Sequence, residues 1–340
     1  MDVRNFRLQS LTDENESDVR RLLYQNKHFA CRSSLDVNFP VHILREKEID
    51  GIVDLLRKNG FCKVLMRGGD VFGVIVAEKS IWDTECFGFG IGKIRRVVVL
   101  DILRGQNALG ARESLIKACL TWMRRNEVKC VMARVDLDSV NDIVAYEQNG
   151  FRLADVLVTF HLNLGSVNPT PDSGSGGLIT IRPSRAEDEM MLMEIARTAF
   201  TSDHFHRDLH FPQHKSDELF AKWVCNCCHG SADMVLVAAG EKEEPYGFIT
   251  CKIEQMGREL KYGVIDLVAV SPLHQGKGVG TQLVREAVKW FAQNVQSIFV
   301  GTQANNRTSI RTYEKAGFRL LRTELTFHKW FQEEHHRARV

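Results

Sequence analysis

The feature that most restricts this chain is a repeat of itself. The run Tyr146-Glu147-Gln148-Asn149-Gly150-Phe151-Arg152-Leu153 returns as Tyr313-Glu314-Lys315-Ala316-Gly317-Phe318-Arg319-Leu320. Eight residues beyond Phe151 and again beyond Phe318 comes Thr-Phe-His, as Thr159, Phe160, His161 and as Thr326, Phe327, His328. Upstream, Leu115-Ile116-Lys117 through Trp122-Met123 matches Leu283-Val284-Arg285 through Trp290-Phe291. Blocks that recur in the same order imply two copies of one folding unit. A run rich in Gly, Ser and Pro, from Gly165 through Pro169 and Pro171 to Gly177, separates them and reads as a flexible connector. The expected division is a degenerate first domain at 1–164, a linker at 165–178, an intact second domain at 179–331 and a polar tail at 332–340. With 340 residues there is length for two domains of ordinary size.

Each copy has the same order of elements. An early helix precedes a strand pair, expected at 62–66 and 71–77 in the first copy and at 234–239 and 247–253 in the second. A further strand follows at 95–103 or 263–270, then a long amphipathic helix. In the second copy its apolar positions, Val279, Leu283, Val284, Ala287, Val288 and Phe291, are spaced by threes and fours and share one face. A short strand at 128–135 or 297–303, a helix carrying Tyr146 or Tyr313, and a closing strand complete each copy. The fold class expected is a mixed α/β sandwich, duplicated in tandem.

A formal net charge of +2 gives no general electrostatic case for nucleic acid or a membrane surface. No apolar run reaches the roughly 20 residues of a membrane span. Residues 1–10 are polar and do not read as a signal peptide. The nine cysteines are scattered, so a reducing cytoplasm is the expected setting.

The chemistry concentrates where the strand 264–270 runs through Ser271-Pro272-Leu273-His274 into Gln275-Gly276-Lys277-Gly278-Val279-Gly280-Thr281 and the long helix. Glycines let backbone N–H groups converge, and a helix N-terminus adds unsatisfied donors and the positive end of a dipole. A pyrophosphate is the natural guest. A strand-to-helix turn with no ligand is the plainer reading. The string lacks the Lys-Ser/Thr ending of a P-loop and the spacing of a dinucleotide site.

The string resembles the Q/R-x-x-G-x-G/A signature of the GNAT acetyltransferases, where it cradles the pyrophosphate of CoA. Leu267-Val268-Ala269-Val270-Ser271-Pro272 looks like that family's central strand and its splay. The resemblance implies acetyl-CoA as cosubstrate, with the pantetheine arm paired along the backbone of Leu267, Val268 and Val270. Gln275, Gly276, Lys277, Gly278, Val279, Gly280 and Thr281 would hold the pyrophosphate. Downstream, Asn306 through Gly317-Phe318 is similar to the family pattern N-x-x-A-x-x-x-Y-x-x-x-G-F, with Ser309 in place of Ala. On a helix Asn306, Ser309 and Tyr313 share one side. The resemblance makes Tyr313 the acid that protonates the leaving thiolate, with Asn306 and Ser309 beside the cofactor arm; a packing aromatic over the sheet is the alternative. Asp266 is read on the face of Val268 and Val270 and is the choice for the base, with a solvated or structurally paired carboxylate as the alternative.

In the first copy, aligning Trp122 with Trp290 sets Asn107, Ala108, Gly110 and Arg112 opposite Gln275, Gly276, Gly278 and Gly280. Tyr146 persists, but Ser139 and Asp142 replace Asn306 and Ser309. This half is read as structural, or as a wall of the acceptor pocket.

Two segments resemble the dTDP-fucosamine-type acetyltransferases, which modify nucleotide-linked amino sugars. They are Trp82-Asp83-Thr84-Glu85-Cys86-Phe87-Gly88, and Ser202 to Asp208 with Glu218-Leu219-Phe220-Ala221-Lys222-Trp223. The resemblance implies a small-molecule amine acceptor met by Phe205, His206 and Arg207, and allows a homodimer. His204, His206, His210 and His214 lack regular ligand geometry. Cys225-Asn226-Cys227-Cys228-His229 has no second Cys pair nearby, so no metal is expected. A peptide or protein N-acetyltransferase and a non-catalytic acyl-CoA-binding regulatory module are the rival readings.

Overall fold

The computed structural model of the chain describes residues 6–10, 13–25, 49, 51, 60–166, 179–256 and 260–331. Most of the expected linker, 167–178, and the tail from 332 lie outside the described residues. Two compact units emerge, Met1–Ala154 with Glu324–Val340, and Asp155–Thr323. This division departs from the expected boundary at 164, because each half of the sequence gives its closing strand to the other unit.

The first unit contains β1 (Arg7–Ser10), α1 (Asp13–Gln25), β2 (Phe61–Arg67), β3 (Asp70–Lys79), α2 (Ile81–Phe87), β4 (Gly90–Val99), α3 (Gly105–Arg125), β5 (Val128–Asp136) and α4 (Val140–Gln148). Strand β6 (Arg152–Asn163) passes into the second unit, and most of β12 (Arg319–Trp330) comes back from it. The strand order within the first unit is β1-β2-β3-β4-β5-β12, and only β4 and β5 are parallel. β4 begins earlier than the expected 95–103. Gly88, at φ 79, ends α2 and releases the chain into the strand, while Leu100 to Leu103 close a turn.

The second unit contains β7 (Thr180–Pro183), α5 (Glu189–Ala199), α6 (His204–Arg207), α7 (Gln213–Asn226), β8 (Met234–Ala239), β9 (Pro245–Met256), β10 (Leu260–Val270), α8 (Val279–Phe291), β11 (Ser297–Gln303) and α9 (Arg307–Lys315). Its order is β7-β8-β9-β10-β11-β6, with β10 and β11 parallel and the rest antiparallel. Helix α8 makes the crossover that a parallel pair needs. Its stripe Val279, Leu283, Val284, Ala287 and Phe291 is buried in one core with Ile265, Ile298, Val300 and Tyr313. Helix α5 packs on β9 and β10.

The two units share details that the repeat foreshadows. A side chain at Gly263 would place Cβ 2.5 Å from the Phe291 ring, and one at Gly92 would lie 2.3 Å from Met123 Sδ. In both units a glycine in the parallel strand lets the last turn of the crossover helix press onto the sheet.

The exchanged strands carry the Thr-Phe-His blocks. Phe160 on β6 pairs in register with Val300, and its ring lies 5.9 Å from that of Tyr313. Reciprocally, Phe327 on β12 pairs with Ala133 and stacks 6.0 Å from Tyr146. Each parallel strand needs an antiparallel partner on its open edge, and either closing strand offers the same alternation of side chains.

Phe160 is 3% exposed, so Phe160→Ala is expected to cost about 3–5 kcal/mol of stability, read by urea unfolding. A fragment of residues 179–340 lacks β6 and is expected not to fold cooperatively when expressed alone. A cooperatively folding fragment would contradict the exchange.

Candidate active site

The candidate site lies where β10 and β11 part. Their parallel pairing runs over Gly263↔Ile298, Val264↔Phe299 and Ile265↔Val300 and then stops. At the same point β10 carries one extra residue relative to β9: the register passes from Ile265↔Cys251 to Val268↔Ile249. Such a bulge bends the strand and raises its twist. The Leu267 N–H leaves the ladder and donates to Thr250 Oγ1 at 3.0 Å.

The bulge corrects the face assigned to Asp266. Ile265 lies in the core under α8, and Val268 and Val270 pack against that same core. The two residues between them, Asp266 and Leu267, therefore face the opposite side, toward α5 and α7. The neighbours of Asp266 there are Lys252, Glu254 and the Cys227 thiol. Burial pushes its carboxyl above the ordinary carboxylate range; Lys252 opposes this and Glu254 adds to it.

Beyond the splay the loop runs past His274 to the start of α8. Gly276 at φ 74 and Gly278 at φ 83 adopt left-handed backbone, which accounts for glycine at both. A Cβ at either would meet nothing within 4 Å, so their outer side is open. Gly278 is the N-cap of α8 and offers no capping side chain. The first-turn N–H groups of Val279, Gly280 and Thr281 have no intrahelical acceptors. They form a concentrated positive end at an exposed surface, with Lys277 beside it. Gln275 braces the turn, its Nε2 donating to Val270 O at 3.0 Å. The His274 and Tyr246 rings stack at 3.6 Å behind it.

Tyr313, on α9, lies in the core that also holds Val279, with Val268 and Val270 packed against it. It is 3% exposed, between Phe160 and Phe318, each ring 5.9 Å away. Burial raises its hydroxyl above the ordinary tyrosine range, and a hydrogen bond with Ser309 opposes this in part. Asn306 is the N-cap of α9, its Oδ1 accepting from Ser309 N at 3.1 Å. That accounts for Asn306 by helix capping, leaving its amide NH2 for any further partner.

Of the three residues expected to meet the acceptor, two are internal. Phe205 is 7% exposed and packs edge-on against Phe211. The side chain of His206 is 1% exposed, with Nδ1 on Asp203 and Nε2 3.1 Å from Asp217 Oδ1. Both ring nitrogens are thus engaged, and the imidazole ties α6 to α7. Arg207 alone is open, its side chain 48% exposed and 3.7 Å from the buried Asp155. Asp155 was not readable as a partner, because it belongs to the sequence half that sends β6 across. The Trp82 segment forms α2, where Asp83 is buried, accepts from Ser80 and pairs with Lys93.

Among the described residues, the first unit has no equivalent turn at the aligned positions. Positions 105–110, opposite 273–278 by the Trp122–Trp290 alignment, are wound into α3, which runs for 21 residues against 13 in α8. Ala108 is buried within α3, whose N-terminus lies earlier, at Gly105. Arg112, at the position of Gly280, ion-pairs with Asp142, at the position of Ser309.

A family model described as Acetyltransferase (GNAT) family matches residues 191–318. The chain is 24% identical over 261 residues to the spore coat polysaccharide biosynthesis protein SpsD of Bacillus subtilis (strain 168), covering 76% of this chain and 84% of the relative. It is 30% identical over 77 residues to N-alpha-acetyltransferase 30 of Xenopus laevis, which is 22% of this chain and 28% of that one. In fold it resembles a GCN5-related N-acetyltransferase from Sphaerobacter thermophilus, with TM-score 0.63, 17% identity and coverage of 97% of this chain and 96% of that one. It also resembles a tandem GNAT protein from the clavulanic acid biosynthesis pathway, with TM-score 0.60, 14% identity and coverage of 97% and 99%. Residues 191–318 of the second unit accordingly match the model of the GNAT acetyltransferase family.

Proposed function

We propose that the chain transfers an acetyl group directly from acetyl-CoA to a primary amine on a small acceptor in the cytoplasm, with a nucleotide-linked amino sugar of the dTDP-4-amino-4,6-dideoxyhexose type as leading case. The observation that carries this reading is the uncapped, glycine-flanked N-terminus of α8 at the mouth of the diverging β10 and β11, with Tyr313 in the core beneath it.

The pyrophosphate would sit on the first-turn N–H groups of α8, supported by Lys277. The arm would run along the β10 edge that β11 has left, using the backbone of Val268 and Val270. The neutral amine attacks the thioester carbonyl, and the tetrahedral intermediate expels the CoA thiolate. Tyr313 suits the role of acid: its raised pKa keeps the proton until a strong base, the departing thiolate, forms. Asp266 suits proton removal from the amine on the opposite face, through water. A carboxylate with a raised pKa is a stronger base than an exposed one. Arg207 would meet an acceptor diphosphate, a role its exposed guanidinium supports, since guanidinium and phosphate match in charge and geometry.

A sugar acceptor is favoured by the relative named for polysaccharide biosynthesis, whose likeness extends well beyond the acetyltransferase domain. The shorter likeness to N-alpha-acetyltransferase 30 favours a peptide amine as the second reading.

The test is thiol release from acetyl-CoA with amino-sugar nucleotides, simple amines and peptides. Turnover with a sugar nucleotide is expected, and Tyr313→Phe is expected to lower kcat by about 10²–10⁴ with KM for acetyl-CoA little changed. Binding of acetyl-CoA with no turnover on any amine would favour a non-catalytic module. The raised Asp266 pKa places the acid limb of the kcat/KM profile above the range of an ordinary carboxylate. Rate is lost as pH falls through that pKa. In Asp266→Asn this limb is expected to vanish, and an unchanged limb would remove Asp266 from the role.

A further inference from the structure

The cysteine-rich end of α7 has a partner that its own sequence does not contain. Glu189 opens α5, and the fold brings its carboxylate to Cys225, 36 residues away on the last turn of α7. Beyond Cys225 the helix widens into a turn, Cys227–Ser231. His229 leaves helical backbone there at φ −93 and ψ 20, and Gly230 follows at φ 97. This geometry swings the imidazole back over the helix end. Cys225 Sγ lies 3.5 Å from Glu189 Oε1, and His229 Nε2 lies 3.6 Å from Glu189 Oε2. One donor atom from each of the three residues falls within 4.8 Å of the others.

We propose that Glu189, Cys225 and His229 bind a zinc ion. Tetrahedral zinc with sulfur, nitrogen and oxygen donors at their usual bond lengths requires donor separations of about 3.4–3.6 Å; the sulfur–Oε1 and Nε2–Oε2 contacts are of that size, one to each oxygen of the Glu189 carboxylate. His229 Nδ1 is 2.9 Å from the carbonyl oxygen of Cys225, to which it donates. In the neutral ring that contact leaves Nε2 as a lone pair, and the lone pair faces a carboxylate oxygen. Two acceptors facing each other call for a cation between them. A backbone carbonyl on the second nitrogen is also how ligating histidines are commonly oriented. The donor set of thiolate, imidazole and carboxylate is one zinc accepts.

Binding is balanced by loss of the Cys225 thiol proton to solvent. The ion's two positive charges are then met by one thiolate and one carboxylate. Water would complete the coordination; the Cys228 thiol, one turn on, feels the charge of Glu189 but lies outside the three-residue donor group. Cys227, between the donors, is buried with its thiol bonded to Thr250, so the ion would pin the end of α7 to β9. The run of cysteines was read from sequence as plain thiols because its carboxylate lies on a different helix.

The test is elemental analysis of the full chain after dialysis in buffered zinc. About one zinc per chain is expected in the native protein. Cys225→Ser and Glu189→Gln are each expected to weaken retention by tenfold or more. The native chain loaded with cobalt(II) is expected to show a thiolate-to-cobalt charge-transfer band that Cys225→Ser lacks. Because all three side chains are at least partly exposed, these variants are expected to keep the native circular dichroism. A native chain with neither zinc nor the band would overturn the proposal. So would variants that retain zinc like the native chain, which would place the ion elsewhere, or a simple His229–Glu189 ion pair that gives no metal signal.

Discussion

One extra residue in β10 sets up the second unit. Without the bulge between Ile265 and Val268, β10 would keep its alternation, and its open edge could stay in register with β11. With it, the strands part after Ile265, Val268 and Val270 turn toward α8, and Asp266 and Leu267 turn toward α5 and α7. The Thr250 hydroxyl stabilises this arrangement by taking the N–H that the ladder gives up. The position of the carboxylate relative to the α8 turn therefore follows from a local backbone irregularity, not from side-chain spacing alone.

The two units share a framework. Both keep the parallel pair, the crossover helix, the glycine beneath its last turn and a buried tyrosine flanked by two phenylalanines. They differ at the start of the crossover helix. Left-handed glycines hold the helix back at Val279 and leave donors exposed. In the first unit the same stretch is wound into α3, where those donors are spent inside the helix. The Arg112–Asp142 pair then fills the space beside Tyr146 with matched charge.

Much of this was legible in the sequence. The repeat, the apolar stripe of α8 and the glycine turn all have short-range signatures that survive intact. Three things were not. The strand exchange is invisible because Phe160 and Phe327 sit in identical Thr-Phe-His blocks, and nothing local says which tyrosine each will meet. The bulge is invisible because Val264 to Val270 reads as an unbroken strand, so Asp266 was assigned to the wrong face. The structural roles of Asn306 and His206 were hidden for a different reason. Residues that cap helices and bridge carboxylates are the same types that bind ligands, and only the structure shows Asn306 Oδ1 on Ser309 N and His206 between Asp203 and Asp217.

The central claim is that the chain has a single CoA site, built on the N-terminus of α8. Equilibrium titration of the full-length protein with CoA, monitored by calorimetry, tests it most directly. The account predicts one CoA per chain, with binding weakened at least tenfold by Gly278→Val, where a branched side chain is forced into left-handed backbone. Two CoA molecules per chain, or unchanged affinity in that variant, would contradict it.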